Sequence, residues 1–172
     1  MNAAPETCKL IAELIQKEMG APAGVVQIYN QKRRLPATKG FIVSVAIIGD
    51  KPFGVNQQTV ENPTTGDLVE TSSVNTQEMI QVDIFSYDDS ARKRRVEILF
   101  AIAGNACQQL AEKYSFKVGQ IPSSFVDVSQ VEASTRLNRY AITFNILRVY
   151  SRELIIESFD KFGIPPAITV NP

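Results

Sequence analysis

The chain contains no histidine. That absence removes Ser-His-Asp and Cys-His nucleophile arrangements, most zinc sites and the commonest general base together. Cysteine is nearly as scarce. Cys8 and Cys107 are the only two, too few for a disulfide framework, and both fall in helical patterns. They read as buried free thiols, which suits a reducing compartment. Net charge is formally zero, with 18 basic and 18 acidic side chains, so no global field recruits nucleic acid or anionic lipid. No apolar run approaches the roughly 18 residues of a membrane-spanning helix, and no membrane partner is expected. Met1-Asn2-Ala3-Ala4-Pro5 carries no basic region and no signal-like apolar core, so export is not expected. A Gly-rich phosphate loop, internal repeats and low-complexity runs are missing too.

What is present is ordinary globular material, with 172 residues, 44% of them apolar and 21% charged. The length and composition predict a single domain over 1–172. The organising stretch is 79–114. Ile80, Val82 and Ile84 alternate with Gln81 and Asp83, as on a half-buried strand. Asp88-Asp89-Ser90 then offers helix-start chemistry. Val96, Leu99, Phe100, Ala103, Cys107, Leu110 and Tyr114 recur at spacings of three and four, predicting one long helix over 91–114.

Before this stretch, Leu10, Ile11, Leu14, Ile15 and Met19 predict an amphipathic helix that starts near Pro5 and stops at Gly20 and Pro22. A short strand follows at 24–30, then a basic loop at 31–36. The continuous apolar strand at 41–48 suits the interior of a sheet. Polar residues dominate 54–76. A turn at Asn62-Pro63-Thr64-Thr65-Gly66-Asp67 makes a hairpin arm too apolar-poor to stand alone, so it lies on this domain or is held by another subunit. Beyond the long helix come a short strand at 125–128, a loop at 130–134 and a second long strand at 137–153. Tyr140, Ile142, Phe144, Ile146 and Tyr150 share one face of it. This strand is expected to pair with the one at 79–87. Residues 160–172 read as an extended, Pro-rich tail. The fold class is therefore α+β: a mostly antiparallel sheet with two long helices packed on it, plus the hairpin arm and the C-terminal tail.

Charge is unevenly spread. Between Pro52 and Ala91 there is no Lys or Arg, yet Glu61, Asp67, Glu70, Glu78, Asp83, Asp88 and Asp89 all lie there. Lys32, Arg33, Arg34 and Lys39 crowd one flank, and Arg92, Lys93, Arg94 and Arg95 the other. The loop cations either face phosphates or simply keep a loop solvated. Those at 92–95 oppose the helix dipole unless Asp88, Asp89 or Glu97 answers them, which favours a structural charge network over a ligand site. Segregated charge is what a head-to-tail contact between identical subunits uses; the alternative is chance in a neutral chain. Asp83, Asp88 and Asp89 would be the candidates for a metal. The helix start and the strand's polar face account for them, so no metal, cofactor or catalytic residue is expected.

Taken together, these features resemble the tail-terminator (neck terminator) proteins of contractile-tailed bacteriophages. The likeness rests on layout over most of 7–155. It comprises an N-terminal helix, the strand at 25–36 with its Asn30-Gln31 corner and following proline, and the strand at 41–48. Gln81-Val82-Asp83-Ile84-Phe85-Ser86-Tyr87 with the ensuing helix start, and a closing strand containing Arg139-Tyr140-Ala141-Ile142-Thr143-Phe144-Asn145, complete it. The Pro-rich tail and the length of the hairpin fall outside the pattern. The resemblance implies a structural, non-enzymatic virion protein, assembled in the host cytoplasm. It would form a ring, expected to be hexameric, that caps the tail tube, ends its polymerisation and joins tail to head connector. Implied partners are further copies of itself, the tail tube protein, the tail sheath protein and the head-connector (neck) protein, with DNA passing through the channel. Lys32, Arg33, Arg34, Arg92, Arg94, Arg95, Glu61, Asp67 and Glu70 are the candidates for subunit interface or channel lining. Alternatives are another ring component, such as a head-closure or tail tube protein, or a small DNA-binding domain using the basic clusters.

Overall fold

A computed structural model describes residues 6–29, 40–61, 67–122, 124–132 and 135–156. The basic loop, the turn of the hairpin and the tail at 160–172 lie outside the described residues. The elements in chain order are α1 (Thr7–Glu18), β1 (Val26–Ile28), β2 (Phe41–Glu61), β3 (Leu68–Ser86), α2 (Ser90–Ala103), α3 (Asn105–Lys113), β4 (Phe116–Val118), β5 (Val126–Asp127), β6 (Gln130–Glu132) and β7 (Thr135–Ile156). The class is α+β, with three helices and a mostly antiparallel sheet among the described residues. Strand order is β1-β2-β3-β7-β4, with β5 and β6 also bonded to β7. Among the described strands only β1 runs parallel to its neighbour. Among the described residues no helix is long and apolar enough to cross a membrane.

Alternation decides which side of the sheet is covered. Val43 and Val45 of β2 sit opposite Ile84 and Val82 of β3, which sit opposite Tyr140 and Ile142 of β7. All are buried in one cluster with Ile11 and Ile15 of α1 and Ile98 and Ile102 of α2. The helices therefore share one face, and the period-two and helical patterns converge on a single core. The helical stripe of α1 is buried as its spacing predicts, and Gly20 ends it at φ +58, a conformation that favours glycine.

The continuous helix expected over 91–114 is instead two. Gly104 adopts extended backbone (φ −79, ψ 167) between α2 and α3. A Cβ at this position would stand 2.7 Å from the Phe100 carbonyl oxygen, so the preceding turn approaches a residue that has no side chain. The buried face matches the spacing in part: Cys107 is buried, and Leu99, Leu110 and Tyr114 pack against the core. Ala91, Ile98, Ala101 and Ile102 are buried, whereas Val96, Phe100 and Ala103 are exposed.

Strands, too, extend further than alternation alone marked. β3 begins at Leu68, β7 reaches Ile156, and the segment expected as a loop at 130–134 contains β6, which folds back on β7. Beyond Thr76 the three long strands continue together, Glu61 opposite Leu68 and Leu68 opposite Ile156. The polar hairpin is thus held within its own chain, by a third strand, which supplies the minimum for a ribbon to stand in water. Register breaks between Ile47 and Gly49 and between Pro52 and Gly54 place two bulges on β2.

Candidate functional site

The core stops at Ile80 and Ile146, and a polar knot follows at the root of the ribbon. Glu78, 5% exposed, accepts a 2.5 Å hydrogen bond at Oε1 from the Tyr150 hydroxyl. Arg148, on the same face of β7, donates from Nη1 to Thr7 Oγ1 at 2.8 Å, and its guanidinium lies over the Tyr150 ring. The Thr76 hydroxyl donates to the Arg148 carbonyl. Two strands, β3 and β7, and the start of α1 are tied here by groups 72 or more residues apart in sequence. Burial pushes the Tyr150 phenol up, and its bond to Glu78 pushes it further. The Cys8 thiol, one residue from Thr7, is pushed up to about 11 by burial and then by Glu6. Both cysteines are free and buried, as their positions in helical patterns predict.

Beyond the knot the ribbon runs about 27 Å, from Thr76 to Leu68, at the usual rise of a strand. Among the described residues its outer edges are unpaired, on β2 from Ala46 onward and on β7 from Val149 onward. Its outer part carries Glu61, Asp67, Glu70 and Glu153 against the single Arg152. Glu70 accepts from Gln57 and from Ser72 Oγ, and the latter bond is 3.1 Å.

The cations lie at the other end of the sheet. Ser86 Oγ and Asp88 Oδ1 accept the Ala91 and Ser90 amides, which positions the start of α2. The bond from Ser90 holds the Asp88 carboxyl below its usual range. Arg94 reaches inward, with Nε 2.9 Å from Glu97 Oε1, Nη2 2.7 Å from the Met19 carbonyl and its guanidinium over the Phe41 ring. Arg95 lies over the Tyr140 ring. Arg92 and Lys93 are exposed and make no ion pair among the described residues. The four cations therefore divide, two bracing the body and two facing outward. Lys32, Arg33 and Arg34 lie outside the described residues.

On the reverse face of the sheet Asp83 is 6% exposed and accepts from Arg139 Nε at 3.0 Å and from Gln81 Nε2 at 2.8 Å. Asp83 is thus an ion-pair partner, and its arginine stands 56 positions away, beyond the reach of local pattern. Among the described residues no group of three His, Cys, Asp or Glu side chains converges as a metal site would. A groove of about 530 Å³ opens between α2–α3 and β4, lined by Ile102, Ala103, Cys107, Ala111, Phe116 and Ile121 among others, with Glu112 and Lys117 as its charged members. Its character is apolar, and it suits contact better than proton transfer. Compared with known proteins, the chain matches no family model and none of the curated proteins.

Proposed function

We propose that this chain is a tail terminator of a contractile-tailed bacteriophage. It is a structural protein whose copies close into a ring, expected to be hexameric, that caps the tail tube, ends its polymerisation and joins the tail to the head connector. What supports this above all is the shape of the sheet. A helix-covered body extends into a three-stranded ribbon, acidic towards its tip, while outward cations stand on α2 at the opposite end. A subunit with two unlike contact patches associates head to tail, and such contacts end in a ring when the rotation between copies closes. In this reading the ribbon is the hairpin arm that reaches a neighbour, and α2 with α3 stands for the second long helix. The work is done by shape and edges, without turnover or cofactor. The other partners are the tube, sheath and neck proteins, at the tail–neck junction of the virion.

Light scattering on the purified protein, alone and with isolated tail tubes, tests this. A discrete ring, or free subunits that stop tube growth, is the expected result. Long tubes formed by the protein itself would make it a tube subunit, and tube growth indifferent to its addition would remove the proposal.

A further inference from the structure

Helix α2 is apolar on two sides. Ile98, Ala101 and Ile102 enter the core, while Arg92, Val96 and Phe100, each four residues apart, form a second stripe that leaves Val96 44% and Phe100 72% exposed. The ribbon tip carries a counterpart. Val60, Val69 and Ile155 make one cross-strand rung on the face turned away from the helices, with Val60 52% and Ile155 73% exposed. Glu153 stands on the next rung of that face, opposite Thr71, and Glu61 and Asp67 close the strand ends. Carboxylates thus border the rung, and Arg92 and Lys93 border the stripe. The two patches lie on opposite sides of the sheet, and Leu68 is on the order of 60 Å along β3 from Ser86, so they do not meet within one chain.

Resting on the ring reading above, we propose that the ribbon tip of one copy seats its Val60–Val69–Ile155 rung on the Arg92–Val96–Phe100 stripe of the next. The underside of one molecule then lies on the helical side of its neighbour, and the copies overlap like tiles. Apolar contact supplies the attraction, and the carboxylates against Arg92 and Lys93 set the register.

Analytical ultracentrifugation of Phe100→Asp and Ile155→Asp tests the contact, since both side chains are exposed and the melting of each variant should match the parent. Each variant alone should sediment as a monomer. An equal mixture should give dimers and nothing larger, because one intact tip meets one intact stripe and the remaining patches are both spoiled. Variants that assemble as the parent does, a mixture that stays monomeric, or a parent that is monomeric at every concentration would each overturn the contact. Loss of assembly in Phe100→Asp with full assembly in Ile155→Asp would overturn it too, and would assign the stripe to another partner. Tube capping by the same samples separates the two proposals. Variants that cap as the parent does overturn the contact alone, and a parent that forms the contact but never caps overturns the terminator role alone.

Discussion

Single side chains at the ribbon root join protonation and stability. The folded protein holds the Cys8 thiol near 11, against a usual value near 9. Between those two values the unfolded chain gives up this proton and the folded chain keeps it, so stability falls as pH rises from about 9 to about 11. Urea midpoints across that range should decline for the parent and decline less steeply for Cys8→Ala. Tyr150 makes a second case. Its hydroxyl is the hydrogen-bond donor to Glu78 Oε1, while Glu78 Oε2 is buried with no hydrogen-bond partner among the described residues. Tyr150→Phe should therefore lower stability by about 1–3 kcal/mol in chemical denaturation, the cost of stranding a buried polar group. Adding Glu78→Gln should recover part of that loss, because an amide is less costly to bury unpaired than a carboxylate.

At the scale of elements, Gly104 decides where one helix becomes two. Gly104→Ala brings a Cβ against the Phe100 carbonyl, and should cost more than about 1 kcal/mol in a denaturation midpoint unless the two helices straighten into one. A fused helix would show as increased helicity by circular dichroism. Much of this architecture is legible in the sequence because it rests on short-range periods. The α1 stripe, the pairing of the two long strands and the alternation of Ile80, Val82 and Ile84 all follow from spacing. The α2 face is not legible in that way, since Val96, Phe100 and Ala103 compete with Ile98, Ala101 and Ile102 for the core, and only packing against α1 and the sheet chooses between them. The third strand of the ribbon was equally hidden. Ser72 and Arg152 are polar on both strands, and their pairing depends on a register established far away in the core. The interface candidates Glu61, Asp67 and Glu70 fall together at the tip, but of Arg92, Arg94 and Arg95 only Arg92 faces outward, and Lys93 joins it.

For the molecule as a whole, that division of cations yields opposite expectations for neighbouring residues. Arg92→Glu with Lys93→Glu should abolish self-association and leave thermal stability unchanged. Arg94→Ala should leave the outward patch intact yet cost about 1–2 kcal/mol in stability, because charged hydrogen bonds to Glu97 and to the end of α1 are lost. Sedimentation and melting on the same samples separate the two. Self-association should also weaken as salt is raised, since exposed charges are screened beyond a Debye length of about 8–10 Å. The bulges on β2 carry one more consequence. Each strand twists right-handedly about its own axis, and a bulge increases that twist locally. As an edge of the ribbon, β2 therefore works as a protractor, setting the angle between the tip and the body that, in the proposed ring, receives its neighbour. Excising Phe53, the supernumerary residue beside Pro52, would reset that angle and with it the number of protomers in a closed circuit.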